Sequence, residues 1–152
     1  QIAHLSPGIV EKLVGASSFY KREGMGDGFF EGMNLATIDF MPQILKDNFL
    51  ALNPDESALG NMFEKDSQRM INFRDWDKSV LNNIEAPVFF IAGDRDVMKP
   101  GHVAEMSREV PDARLMILPA GHGSYIMPDE SGRSDHALID FTVSQICRFL
   151  DE

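Results

Sequence analysis

Two apolar runs in the middle of the chain, residues 87–92 and 114–118, have the composition of buried β-strands. Each run ends in a glycine-containing turn sequence, Gly-Asp-Arg-Asp at 93–96 and Pro-Ala-Gly-His-Gly at 119–123. The spacing of apolar residues between them predicts a helix over 100–110. Strand, helix and strand in this order predict a βαβ unit with parallel strands and a right-handed crossover.

Weaker patterns predict the elements towards the two ends of the chain. Residues 1–5 have the character of the end of a helix, and residues 10–16 that of a strand leading into Ser17 and Ser18. An amphipathic pattern over 137–150 predicts a closing helix.

Residues 24–80 lack the pattern of a sheet. Apolar spacing predicts helices over 42–52 and 57–73, with Asp55 or Ser57 as the cap of the second. The segment is rich in Met and Phe, which suit either an apolar pocket or the packing of these helices onto the core.

Candidate chemistry lies where the two central strands end. Asp96 and His122 each follow one of these strands. Because the carboxyl ends of parallel neighbours lie on one edge of a sheet, about 5 Å apart, the two side chains are expected to meet. A carboxylate that orients a histidine is two-thirds of a hydrolytic triad, in which a nucleophile is the third part.

These motifs, in this order and 26 residues apart, resemble the C-terminal half of the α/β-hydrolase superfamily. The pattern there is a strand, Gly-x-x-Asp, a helix, a strand, Gly-x-Gly-His or a relative, and a final amphipathic helix. The chain offers Gly-Asp-Arg-Asp ending at Asp96, Pro-Ala-Gly-His ending at His122, and the helix over 137–150. The resemblance implies an α/β fold: a partial α/β-hydrolase with about three parallel strands, flanking helices and a helical cap insertion.

The resemblance also implies a domain organisation. Residues 1–23 would be a segment of the sheet domain, with the end of the helix behind the nucleophile and the sixth strand. Residues 24–80 would form the helical cap or lid, and residues 81–152 the C-terminal βαβα part. The nucleophile motif Gly-x-Ser-x-Gly is then expected before Gln1, so the chain is expected to be a fragment that is inactive alone.

Serines within the chain are poor candidates for the nucleophile. Ser17 and Ser18 lack the second glycine of a nucleophile elbow, and Ser134 has no strand before it. Ser124 follows the histidine too closely and is expected at the mouth of the cleft or at a turn. Some α/β-hydrolases carry their acid after the sixth strand. Because serines stand there in this chain, the resemblance assigns the acid to the later Gly-x-x-Asp motif.

The remaining titratable residues suggest no further chemistry. Asp94 is expected to be solvated, Arg95 to lie on the surface or brace its loop, and His102 to lie on the surface or cap a helix. His4 and His136 have no acidic or cysteine neighbours at metal-ligand spacing, so no metal site is predicted. Neither a Gly-x-Gly-x-x-Gly motif nor a P-loop occurs, and no cofactor is predicted.

Composition narrows the possible partners. The net charge of −10 opposes the binding of nucleic acid and of anionic membranes. No apolar run reaches the ~20 residues that span a bilayer, and residues 1–10 lack the features of a signal peptide. The single cysteine, Cys147, is predicted to be a buried apolar residue, and one cysteine fits a reducing, cytoplasmic location.

By the resemblance, the parent protein hydrolyses an ester or a related carbonyl substrate through a nucleophile, His122 and Asp96. The nucleophile is a serine, or Asp or Cys in some relatives, and the Met and Phe residues suggest a small apolar substrate. The alternative is a ligand-binding or scaffold member of the superfamily without turnover. A sheet that ends at an unpaired strand also predicts a homodimer through that edge, or pairing with the missing N-terminal half.

Overall fold

The central element of the fold is a parallel β-sheet. The structure, a computed structural model, describes residues 1–129 and 131–152. Within them, three parallel strands lie in the order β1 (Leu13–Ala16), β2 (Val88–Arg95) and β3 (Ala113–Gly121). The predicted three-stranded parallel sheet is confirmed. β2 and β3 extend further towards their carboxyl ends than the apolar runs indicated, because their last residues continue the ladder without being apolar.

The helices that the sequence predicted occur close to their predicted bounds, and two short ones that it did not predict lie among them. They are α1 (Ile2–Leu5), α2 (Phe29–Met33), α3 (Gln43–Leu52), α4 (Glu56–Ile71), α5 (Ser79–Asn82), α6 (Pro100–Glu109) and α7 (His136–Asp151). The carboxylate of Asp55 caps α4 by accepting the N–H groups of Ser57 and Ala58. Single 3₁₀ turns occur at Pro7–Ile9, Arg22–Gly24 and Ile38–Phe40. Among the described residues, no helix combines the length and the apolar character that crossing a membrane requires.

Alternate residues of β2 face two separate apolar clusters, as the period of a strand dictates. Val88, Phe90 and Ala92 pack on the side of α6, with Val103 and Met106. On the opposite face, Phe89 and Ile91 pack with Tyr125 and with Phe149 of α7. β2 is therefore buried on both faces, which explains its continuous apolar run.

The segment between β1 and β2 packs onto the α6 side of the sheet through aromatic contacts. The rings of Phe19 and Phe73 lie 4.7 Å apart between centroids, and Phe30 packs edge-on against Phe19 at 6.5 Å. Met25 and Phe30 are buried in the same core cluster as β2. The backbone N–H of Trp76 donates to the carbonyl of Tyr20 at 2.9 Å. Many of the Met and Phe residues of this segment thus serve packing.

Two expectations about burial were wrong. His102 is buried, with 6% of its surface exposed, because its ring stacks on Tyr20 at 4.9 Å and packs against Gly24. Cys147 is exposed, because it lies on the outer side of α7 while Phe149 faces the sheet. In both helices the apolar pattern left the orientation of one polar or small residue undetermined.

Candidate active site

One polar residue follows each strand of the sheet directly, at the same edge. Ser17 follows β1, Asp96 follows β2 and His122 follows β3. Because the strands are parallel and adjacent, their carboxyl ends bring three residues together that are 79 and 26 positions apart in sequence. This edge is where open α/β sheets bind their ligands.

A register shift between β2 and β3 aligns Asp96 with His122. Gly93 pairs with Leu118, but Arg95 pairs with Gly121, so β3 carries one extra residue over this interval. Without that residue Asp96 would lie opposite Gly121. The extra residue falls at Pro119 and Ala120, where a proline cannot donate to the ladder and an irregularity is tolerated.

The last two residues of β2, Asp94 and Arg95, bind backbone groups of β3 at the register shift. The carboxylate of Asp94 accepts the N–H of Ala120 at 3.0 Å, and Arg95 Nη2 donates to the carbonyl of Pro119 at 3.3 Å. As expected, Arg95 lies at the surface, with 73% of its side chain exposed, and Asp94 is in contact with solvent, with 50% of its side chain exposed. The hydrogen bond from Ala120 to Asp94 across to β3 was not predicted.

Asp96 and His122 form a direct hydrogen bond. The Nδ1 atom of His122 lies 2.8 Å from Oδ1 of Asp96. The Asp96 side chain is fully buried, whereas 52% of the His122 side chain is exposed. Because an ionised carboxylate only accepts, Nδ1 carries the proton, and in the neutral ring the lone pair lies on Nε2.

Four donors fill the acceptor capacity of the Asp96 carboxylate. Oδ1 accepts from His122 and, at 3.4 Å, from the N–H of Met98. Oδ2 accepts from Ser17 Oγ at 2.5 Å and from the N–H of Gly93 at 3.3 Å. Burial by itself raises the pKa of Asp96. The hydrogen bonds from His122, Ser17 and Gly93 outweigh it and lower the pKa from 3.8 to about 2. The buried acid is therefore ionised at neutral pH.

Ser17 reaches Asp96 through an unusual backbone conformation. Its φ angle is +47°, in the left-handed region, which costs a residue other than glycine of order 1–3 kcal/mol. Its Oγ also lies 2.7 Å from the hydroxyl of Tyr125, a fully buried side chain. Burial raises the pKa of Tyr125, so the phenol stays protonated.

A cleft of about 980 Å³ opens beside His122. Ser124, Ser134 and His136 line its wall, and Ser124 Oγ donates to the carbonyl of Gly121 at 3.3 Å. Further lining residues are Arg95, Val97, Pro119, Ala120, Gly121, Asp129, Ser131, Arg133, Asp135 and Leu138. In the described part of the chain, no group of three His, Cys, Asp or Glu side chains is placed to hold a metal ion.

The sequence predicted that Asp96 and His122 meet, but it did not predict the residues that hold the Asp96 carboxylate. Ser17 was expected to be no more than a poor candidate for the nucleophile, and no role was predicted for Tyr125. The available signal for Ser17 was its place directly after a strand, which it shares with the other two residues. Tyr125 gave no comparable signal, because it meets Ser17 across 108 residues of sequence.

The fold of the chain is similar to that of several solved enzymes. An enol-lactonase from Burkholderia xenovorans superposes with a TM-score of 0.64 at 16% sequence identity, covering 99% of this chain and 60% of the enzyme. An esterase from a Rhodococcus species gives 0.59 at 14% identity, covering 99% and 59%. A meta-cleavage product hydrolase from Pseudomonas fluorescens gives 0.56 at 15% identity, covering 94% and 59%. No protein-family profile and no curated protein sequence matches the chain.

These comparisons confirm the fold class that the motifs predicted. The chain has a partial α/β-hydrolase fold, which corresponds to the C-terminal part of that fold. It spans about 60% of the length of the solved enzymes that it resembles. At these identities the likeness defines the fold and leaves the activity to be argued from the site.

Proposed function

We propose that this chain supplies the acid–base pair of a hydrolytic site that cleaves an ester or a related carbonyl substrate. His122 is the general base, Asp96 the acid that orients it, and a serine in a polypeptide segment outside these 152 residues the nucleophile. The observation that carries the proposal is the 2.8 Å hydrogen bond between His122 Nδ1 and the buried, ionised Asp96. It fixes the tautomer that general-base catalysis by Nε2 requires.

The proposed reaction proceeds in two acyl transfers. His122 Nε2 takes the proton of the serine hydroxyl while the serine oxygen attacks the ester carbonyl. The protonated ring then gives this proton to the leaving alcohol, and an acyl-serine remains. Water attacks the acyl group by the same route, releasing the carboxylic acid and restoring the serine. Asp96 stabilises the charged ring in both halves of the cycle.

The geometry of Ser17 supports a nucleophile from elsewhere. Its hydroxyl bonds to Oδ2 of Asp96, while His122 bonds to Oδ1 through Nδ1. A nucleophile has to meet the ring at Nε2, the atom that points away from the carboxylate. Ser17 therefore lies on the wrong side of the acid for attack.

The substrate is proposed to be a small, apolar ester-like molecule bound in the cleft beside His122. Val97 and Leu138 supply apolar wall, and charged residues also line the cleft. We propose further that residues 24–80 form the cap over this edge, while residues 1–23 and 81–152 form the sheet domain. The helices α3 and α4 of this segment support a helical cap.

β1 is the proposed site of association. It pairs with β2 on one side only among the described strands, and exposed apolar side chains of Ile2, Leu5 and Ile9 precede it. An unpaired strand edge of this kind accepts a strand from another chain. We propose that the nucleophile-bearing segment pairs here, and that in its absence a second copy of this chain does so.

The test is covalent labelling of the native protein with a serine-directed fluorophosphonate, followed by intact mass measurement and peptide mapping. We expect label on a serine outside these 152 residues, at a rate that falls at least ~100-fold in His122→Ala. Arg108→Ala is the control, since this exposed residue of α6 lies outside the lining of the cleft, and it should label at the normal rate. The proposal is overturned if His122→Ala is labelled at the normal rate, or if the native protein is not labelled at all.

A further inference from the structure

The hydroxyl of Ser17 lies between two buried polar groups, the carboxylate of Asp96 and the hydroxyl of Tyr125. Its Oγ lies 2.5 Å from Oδ2 of Asp96 and 2.7 Å from the hydroxyl oxygen of Tyr125. The Tyr125 hydroxyl also lies 3.3 Å from the carbonyl oxygen of Ile91, in the middle of β2. The three polar groups thus form a chain that runs from the core of the sheet to the acid.

Proton counting fixes the direction of each bond in this chain. Asp96 is ionised and only accepts, so the single hydroxyl proton of Ser17 points to Oδ2. Ser17 Oγ then faces Tyr125 with a lone pair, and the phenol donates to it. The carbonyl of Ile91, an acceptor only, shares the same phenol proton at longer distance.

We infer that Ser17 and Tyr125 are positioning residues, which lock the Asp96 carboxylate in the rotation that presents Oδ1 to His122. The inference rests on the proposed function, in which Asp96 orients His122. Ser17 holds Oδ2 directly, and Tyr125 holds Ser17.

The backbone of Ser17 supports a dedicated role. Ser17 alone among the described residues other than glycine has a positive φ angle. That conformation is unfavourable for serine, and the ladder is still intact at this point, since the Ser17 N–H donates to Ile91 at 2.8 Å. The positive φ angle therefore directs the Ser17 side chain at the acid, while its N–H completes the ladder with β2.

Loss of the Ser17 hydroxyl would remove the shorter of the hydrogen bonds to Oδ2 of Asp96. Among the described residues, only the N–H of Gly93 would still donate to Oδ2, at 3.3 Å. With one face of the carboxylate weakly held, rotation about its Cβ–Cγ bond becomes easier, and Oδ1 leaves the line to His122 Nδ1. The histidine should then sample both neutral tautomers.

NMR on the ¹⁵N,¹³C-labelled 152-residue chain tests this without any need for activity. Two signals are followed: the Asp96 carboxyl carbon during acid titration, and the ring nitrogens of His122 at alkaline pH. In Ser17→Ala we expect the pKa of Asp96 to rise from about 2 by roughly one unit. We also expect the His122 nitrogen shifts to move from the Nδ1–H form towards a mixture of tautomers.

Matched variants distinguish the effect of losing the Ser17 hydroxyl from the effect of the Ser17 backbone conformation. Ser17→Gly also lacks the hydroxyl but accepts the positive φ angle, so it should reproduce both changes. Ser18→Ala makes the same chemical change one position along, outside the hydrogen bonds of the carboxylate, and should behave as wild type. If Ser17→Gly behaves as wild type while Ser17→Ala does not, backbone strain is the cause and the inference is overturned.

Tyr125→Phe provides a second test if the Ser17 variants fail to fold. It removes one oxygen from a buried ring and should move both signals in the same direction by a smaller amount. Unchanged Asp96 and His122 signals in Tyr125→Phe and in every folded Ser17 variant overturn the positioning role. The proposed function fails separately if Asp96→Asn leaves the His122 tautomer unchanged, because then the acid does not orient the base.

Discussion

Gly93 lies so close to Ala120 that a Cβ atom built on it would stand 2.1 Å from the Ala120 carbonyl oxygen. The contact occurs where the β2–β3 register shifts by one residue. The shift is what brings His122 opposite Asp96. The first residue of the Gly-Asp-Arg-Asp motif thus permits the approach, the next two bind the irregular backbone of β3, and the last bonds the histidine.

Gly93→Ala should therefore destabilise the protein by about 3 kcal/mol, since a backbone carbonyl cannot move aside as a flexible side chain does. Chemical denaturation monitored by circular dichroism measures the loss. Gly101→Ala is the control, because Gly101 lies in α6 with nothing within 4 Å of its would-be Cβ. This variant should be neutral or more stable by up to ~1 kcal/mol. Equal effects of the two substitutions would contradict the account.

Because of Asp96, the free energy of unfolding should depend on pH in the acid range. Its pKa is lowered from 3.8 to about 2 in the folded state, so the unfolded chain binds the proton more readily. The resulting stabilisation, on the order of 2 kcal/mol, is present above about pH 4 and is lost as the pH falls towards 2. Unfolding free energies across this range should fall more steeply for wild type than for Asp96→Asn. Parallel profiles would show that Asp96 is not stabilised as an anion.

His102 should also make the free energy of unfolding depend on pH, in a higher pH range than Asp96. Burial lowers its pKa from 6.5, against the opposing charge of Glu105, and the neutral Nε2 accepts the N–H of Tyr20 at 3.4 Å. Protonation therefore favours the unfolded chain, and stability should fall as the pH drops below about 6.5. His102→Phe keeps a ring against Tyr20 but cannot titrate. It should be less stable by about 1 kcal/mol at neutral pH and show a flatter profile down to about pH 5. A wild-type profile that is already flat would contradict the prediction.

The free edge of β1 should make the isolated chain self-associate. Leu13 and Ser17 donate their N–H groups to the carbonyls of Pro87 and Ile91 on the β2 side, so by the alternation of a strand Val14 points its N–H group to the outer side. Sedimentation equilibrium should show a dimer that forms with increasing concentration. Val14→Pro removes the outward donor, and it should weaken the dimer while leaving the β2 ladder in place. A monomer at all concentrations would contradict association through this edge.

The sequence was sufficient for the strands, the parallel order and the Asp96–His122 pair because these depend on local patterns. Apolar runs, a helical period and a glycine turn each lie within about ten residues, and the parallel arrangement then brings the strand ends together. His102 and Cys147 were misjudged because helix periodicity fixes the apolar stripe and leaves its neighbours undecided.

The contacts that hold the Asp96 carboxylate in place could not be predicted from the sequence, for a different reason. Ser17, Tyr125 and the register shift depend on contacts between elements up to 108 residues apart, and on one backbone angle that no sequence pattern indicated. Pro119, directly after a predicted strand, is a local sign of irregular pairing, but it gives no direction for the shift.

The most direct test of the central claim is the rate of ester hydrolysis by the native protein, measured with a small p-nitrophenyl ester. We predict that His122→Ala lowers kcat/KM at least ~100-fold and that Arg108→Ala, on the exposed side of α6 and outside the cleft lining, leaves it unchanged. The 152-residue chain by itself should not exceed the rate of free imidazole, with or without His122. A native protein that hydrolyses the ester equally well without His122 would contradict the account.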